Sequence, residues 1–130
     1  NSPQVVISNY DTSRVYLTKA RFENCIIWGS EEEEFAPDSF PTFNHYDVTF
    51  TASLVRTTLP LKGFNIISAN STDFPKFADP GAGDAADRSF ELAENSPAIS
   101  LGQPINGVST DIRGVPRDSR PDAGCYEFIE

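Results

Sequence analysis

Proline and glycine break this chain at short intervals, and that limits what it can fold into. Ten Pro and eight Gly fall within 130 residues. Proline donates no backbone hydrogen bond and glycine weakens any regular element, so a helix bundle is ruled out. Many short elements joined by turns are favoured instead. No stretch keeps a helical period. The best helix candidate, residues 83–88, is too short to stand alone.

The strand signals are clearer. Val48, Phe50, Ala52 and Leu54 alternate with Asp47, Thr49, Thr51 and Ser53. A period of two, rich in β-branched residues, puts one face in the core and one in water. Shorter runs occur at Val5, Val6 and Ile7, and at Val15 and Leu17 among Arg14, Tyr16 and Thr18. Others lie at residues 22–28 (FENCIIW), at Phe64, Ile66 and Ile67, and at residues 89–92 and 125–129. The expected fold class is all-β with unevenly spaced strands. Asn106-Gly107, the one Asn-Gly pair, sits between weak strands, so tight hairpins are not the organising device. A β-solenoid and a β-sandwich both fit at this point. Residues 31–46 read as an acidic loop insertion. Four consecutive Glu repel one another and stay in water, with Phe35, Phe40 and Phe43 tacking the loop to the body.

Charge and composition narrow the partners. Ten Lys plus Arg against nineteen Asp plus Glu leave a net charge of −9. Such a surface argues against nucleic acid, anionic membranes and acidic polysaccharides. At 38% hydrophobic with ten Phe, the chain is too apolar for a disordered tail. No apolar run approaches the roughly 18 residues of a membrane span. The chain starts at Asn1, holds no Met and shows no signal-peptide pattern, so a processed or excised piece of something longer is expected. Cys25 and Cys125 make neither a disulfide framework nor a zinc motif. One bridge or two buried thiols both fit.

Candidate chemistry is sparse. His45, the single histidine, has only Asp47 close by in sequence, and an ordinary surface histidine is the better reading. Asp79, Asp84, Asp87, Glu91 and Glu94 could supply a glycosidase pair, and the three aspartates could supply a calcium site. Turn formation explains them better, because Asp and Gly are common turn residues and the spacing is not that of an EF-hand. Arg113, Arg117 and Arg120 cluster, and pairing with Asp111, Asp118 and Asp122 accounts for them. Trp28 could stack on a sugar, but packing suits it better. With no Lys/Arg cluster on the strands, a lyase acting on polyuronates is disfavoured. No catalytic, cofactor-binding or metal-binding residue is assigned, and no cofactor is expected.

A resemblance settles the choice of architecture. The run ENSPAISLGQ, followed by TDIRGVPRDSRPDAGCYEF, resembles the closing segment of bacterial right-handed parallel β-helix surface proteins. This is the choice-of-anchor Q domain, common in Bacteroidetes. The matching residues are Ser96, Pro97, Ala98, Ile99, Gly102, Thr110, Asp111, Gly114, Pro116, Arg117, Asp122, Gly124, Tyr126 and Glu127. Upstream, NIISANSTDFPKFADPGAGD and NCIIWGS are similar to the family's preceding coil motifs. The likeness covers residues 65–130 well and residues 22–29 in part. Ser100 stands where Asp is usual, Cys125 replaces a common Ala, Ser30 replaces Asn, and residues 85–88 are inserted.

The resemblance implies terminal β-helix coils over residues 1–69 and a C-terminal capping segment over residues 70–130. It also implies an uncapped first rung that a longer parent would extend. On that geometry, rungs about 4.8 Å apart would put Cys25 and Cys125 beyond the roughly 4.4–6.8 Å Cα range of a disulfide. Free, buried thiols are therefore expected. The implied protein is exported, to the cell surface or periplasm, with a structural, adhesive or glycan-binding role. Its partner would be a surface glycan or the rest of the β-helix chain, with no nucleic acid and no membrane span. The alternative is a fragment of a polysaccharide lyase or glycoside hydrolase whose active residues lie on other coils. A free-standing glycan-binding sandwich is a third reading, with antiparallel strands.

Overall fold

The computed structural model describes residues 2–40, 46–68, 74–79 and 89–130, and these are all-β, with no helix among them. No helix is long and apolar enough to cross a membrane among the described residues. The strands are β1 (Val5–Ser8), β2 (Thr18–Glu23), β3 (Ile26–Ile27), β4 (Phe35–Asp38), β5 (Tyr46–Val55), β6 (Gly63–Ser68), β7 (Phe77–Asp79) and β8 (Ser89–Leu92).

Pairing among the first six strands is parallel throughout. β1 pairs with β4 (Val5 opposite Phe35), and β5 takes β2 and β3 on one side and β6 on the other. Thr18 lies opposite Tyr46 and Ile26 opposite Leu54. Hydrogen bonds repeat the offset: Gln4 reaches Glu34, 30 residues on, and Cys25 reaches Ser53, 28 residues on. Two walls, β1/β4 and β2/β5, therefore advance together. The next step is short, because Phe50 already pairs with Gly63. Among the described residues only one wall continues there. β7 and β8 form a separate antiparallel pair with an irregular register.

The main wall bends along one line. Asn24, Ala52 and Asn65 all have positive φ (53°, 50° and 53°), and the register sets them side by side. Asn tolerates this left-handed conformation better than other side-chain-bearing residues. The bend reverses the alternation of β5. Before it Val48 and Phe50 face the first core; after it Leu54 faces away and Val55 faces in.

Two cores result. Ile27, Phe35, Val48, Phe50 and Val55 fill the space between the walls. Phe22 stacks on Phe50 with ring centroids 4.9 Å apart and planes 13° apart, as in-register neighbours on adjacent strands should. On the other face of the main wall, Leu54 packs with Leu92, Ala98, Leu101 and Ala123, with Ile26 and Ile67 beside it. Part of the C-terminal segment thus lies along the flank of β3, β5 and β6. The asparagines of the bend tie it down. Asn24 donates to the Gln103 carbonyl at 2.7 Å and accepts from its amide at 2.9 Å, and Asn65 donates to the Leu101 carbonyl at 2.9 Å.

Three expectations need correction. Residues 31–38 are not a solvated loop: β4 is a strand of the second wall, and Glu34 and Phe35 are buried. The Glu34 carboxylate is accommodated because it accepts the amides of Gln4 (3.0 Å) and Glu31 (2.8 Å), over Gly29, where a Cβ would collide with it. Residues 125–129 form no strand; the amides of Glu127 and Phe128 bond to carboxylates, as set out below. The cysteines are both free, but Cys125 is exposed and Cys25 half-buried. The helix candidate at residues 83–88, and Phe43, lie outside the described residues.

Candidate functional site

The sequence candidates do not assemble into one centre. His45, Asp84 and Asp87 lie outside the described residues. Glu91, on β8, pairs with Arg113 at 2.5 Å, and Glu94 is exposed beside a shallow hollow with Phe128, Ile129 and Glu130. Among the described residues, no group of three or more His, Cys, Asp or Glu side chains could hold a metal ion. Trp28 is packed rather than presented: the Arg56 guanidinium lies 5.6 Å from its ring centroid and Phe74 meets it edge-on at 6.3 Å.

The arginine–aspartate cluster is structural: Arg113 pairs with Asp111 at 3.8 Å as expected, while Arg117 and the Arg120 guanidinium take other partners. Arg117 donates to Glu127 at 2.5 Å and to the carbonyls of Asp122 and Gly124. Asp111 accepts the amides of Arg113, Val115 and Glu127, and Asp122 those of Ser100 and Phe128. Each buried carboxylate thus does the work of a missing strand partner. Burial pushes the Asp111 carboxyl up, but the amides of Glu127, Val115 and Arg113 and the Arg113 charge outweigh it and hold the group below its usual range. Burial wins at Glu127, whose carboxyl is raised. Arg120 turns its guanidinium to the Ser100 carbonyl.

Sequence reading missed a row of cations on the outer wall. Lys19 and Arg21 alternate outward on β2, where Ala20 and Phe22 face the first core. Asp47 lies opposite Lys19 in register and pairs with Lys62 at 2.5 Å. The Lys62 hydrogen bond and charge, followed by the charges of Lys19 and Arg21, hold the Asp47 carboxyl below its ordinary value. Lys19 and Arg21 make no ion pair of their own among the described residues. Only the strand register could have revealed this row, since Lys62 is far away in sequence.

The outermost strands form the remaining feature. Among the described residues, β1 pairs only with β4, and β2 only with β5, so each has one unpaired edge. Inward side chains there are incompletely covered: Val5, Ala20 and Phe22 are half-buried, whereas their register partners Phe35, Val48 and Phe50 are buried. β6 forms the opposite edge, where Leu61 packs on the first core and Asn65 is tied to the C-terminal segment.

No family model matches this chain, and a search of curated proteins finds no similar sequence.

Proposed function

We propose that this chain is the C-terminal end of an exported bacterial right-handed parallel β-helix. In this reading it closes the solenoid and serves a structural, adhesive or glycan-binding role at the cell surface or in the periplasm. The observation that carries the reading is the parallel register. Both walls repeat at 28–30 residues, and the first core is least covered beside β1 and β2. At the other end no strand extends the second wall among the described residues, and the C-terminal segment folds onto the flank. This is the shape of a tapering terminus rather than of a repeating interior. The motif of residues 96–127 supports the same reading, since its Asp111, Arg117, Asp122 and Glu127 form the buried network that holds the segment together. The enzymatic alternative places its active residues on other coils; the described carboxylates serve the fold, Glu91 held by Arg113 and Asp111 and Asp122 by main-chain amides.

The test is the full-length gene product. Protease treatment of intact cells should remove it from the surface, or osmotic shock should release it. A crystal structure should show parallel coils running into residues 5–8 and 18–23. A cytoplasmic protein, or strands added antiparallel at this edge, would sink the proposal.

A further inference from the structure

Resting on that terminal-coil reading, we infer that the β1/β2 edge accepts a parallel β-strand coil with acidic side chains stacked over Lys19 and Arg21. Three observations on this edge specify its partner.

The first is the inward row. Ala20 and Phe22 lie over Val48 and Phe50, and the side of Phe22 away from Phe50 carries no ring contact among the described residues. An added strand would cover that ring with an apolar side chain in the same position. The second is the step length. The two walls are in register at 28–30 residues, so a coil of similar length would extend both at once. At the β6 end only one wall is present to extend among the described residues.

The third is the outward row, and it selects the partner's charge. Lys19 lies opposite Asp47, which also pairs with Lys62 just before β6, and Arg21 lies opposite neutral Thr49. Opposite charges facing each other across strands stabilise a sheet and like charges destabilise it. A strand added over the outward Lys19 and Arg21 is therefore matched by Asp or Glu at those positions. Glu23, the third outward residue of β2, calls for a neutral or basic one. The two cations also oppose unselective pairing, since charges on an edge strand discourage indiscriminate strand addition. A neighbour with basic residues in that row would be repelled and one with acidic residues admitted. The surface is thus a selective strand acceptor on a protein that is acidic elsewhere.

Peptides in trans provide the test. Residues 46–55 already form the strand that pairs with β2 in this register. One labelled peptide carries this sequence with Thr49→Asp, placing acids over both Lys19 and Arg21. A second carries Asp47→Lys and Thr49→Lys. Fluorescence anisotropy at low salt should show saturable binding of the acidic peptide, about tenfold tighter than that of the basic one. The preference should shrink as salt rises. The double variant Lys19→Glu/Arg21→Glu should reverse it, and Lys19→Gln/Arg21→Gln should abolish it, with circular dichroism confirming that both fold. Equal binding of the two peptides would overturn the charge rule while leaving a strand-accepting edge in place. Binding of neither would overturn the strand acceptor and weaken the terminal-coil reading itself. A polygalacturonate oligomer that binds more tightly than the acidic peptide, and loses binding in both double variants, would overturn the proposal in favour of an anionic glycan.

Discussion

Gly63 sits where the chain returns to pair with β5, with φ at +148°, and a Cβ on it would run into the Phe50 carbonyl. Both the conformation and the close approach demand glycine. Gly63→Ala should therefore cost about 2–4 kcal/mol in a urea titration. Gly107 is the control: its φ is +85°, but no atom lies within 4 Å of its would-be Cβ, so Gly107→Ala should cost only about 1–2 kcal/mol of backbone strain. Equal losses would show that the packing against Phe50 is not tight. Asp111 offers a residue-scale test by pH. Its folded carboxyl is held below the usual value, so between the two values the unfolded chain binds more protons. Its contribution is complete above the ordinary aspartate range and lost as pH falls through the folded value. Glu127, raised by burial, acts with the opposite sign, favouring the folded state at low pH and losing that contribution as pH rises through its folded value. Asp111→Asn should thus lower the urea midpoint at neutral pH and flatten its fall on acidification. An unchanged slope would assign the acid sensitivity to other groups.

At the scale of elements, β5 was legible because its alternation is strong, whereas its parallel pairing was one of two arrangements, solenoid or sandwich, that the pattern allowed. What could not be read was the turn of the alternation at Ala52. Alanine gives no sign of positive φ, and its neighbours Asn24 and Asn65 become informative only once the register aligns them. β4 was hidden for a different reason. Four glutamates read as a solvated loop, yet Glu33 is bonded by Thr57 and Thr58, and Glu34 by the amides of Gln4 and Glu31. Donors that arrive from other parts of the chain offset the charge, and no local pattern records them. The seam between the main wall and the C-terminal segment was likewise invisible, because Leu54 looks like one more inward residue of its strand. Leu54 is fully buried against Leu92, Ala98, Leu101 and Ala123. Leu54→Ala should cost about 2–5 kcal/mol. Hydrogen exchange should accelerate first at Gly102, Ala123 and Gly124, whose amides bond to Pro121, Ala98 and Asn24. Exchange that rises equally everywhere would mean the segment and the wall unfold as a single unit.

Across the whole molecule, the first core is unequal along its axis, and this inequality links the fold to the proposed role. The sequence motifs located the residues that hold the C-terminal segment together, whereas the candidate acceptor edge emerged only from comparing burial between register partners. Phe22 and Phe50 make that comparison measurable. They carry the same side chain, face the same core and stack on each other. Phe50 is 1% exposed, held between Phe22 and β6 and met edge-on by Phe35 at 5.0 Å. Phe22 is half-buried, with Phe50 on one side. Removing a ring costs the lost transfer energy plus the cavity left behind, and a site open to water leaves a smaller cavity. Phe50→Ala should therefore cost about 3–5 kcal/mol, and Phe22→Ala roughly half as much in the 130-residue chain. If another coil stacks on β2, as proposed, the Phe22→Ala cost should rise toward that of Phe50→Ala in the full-length protein. Urea titrations of the two variants in both chains would decide it. Equal costs in the short chain would show that the first core is already closed beside β2, leaving the acceptor edge without its apolar half.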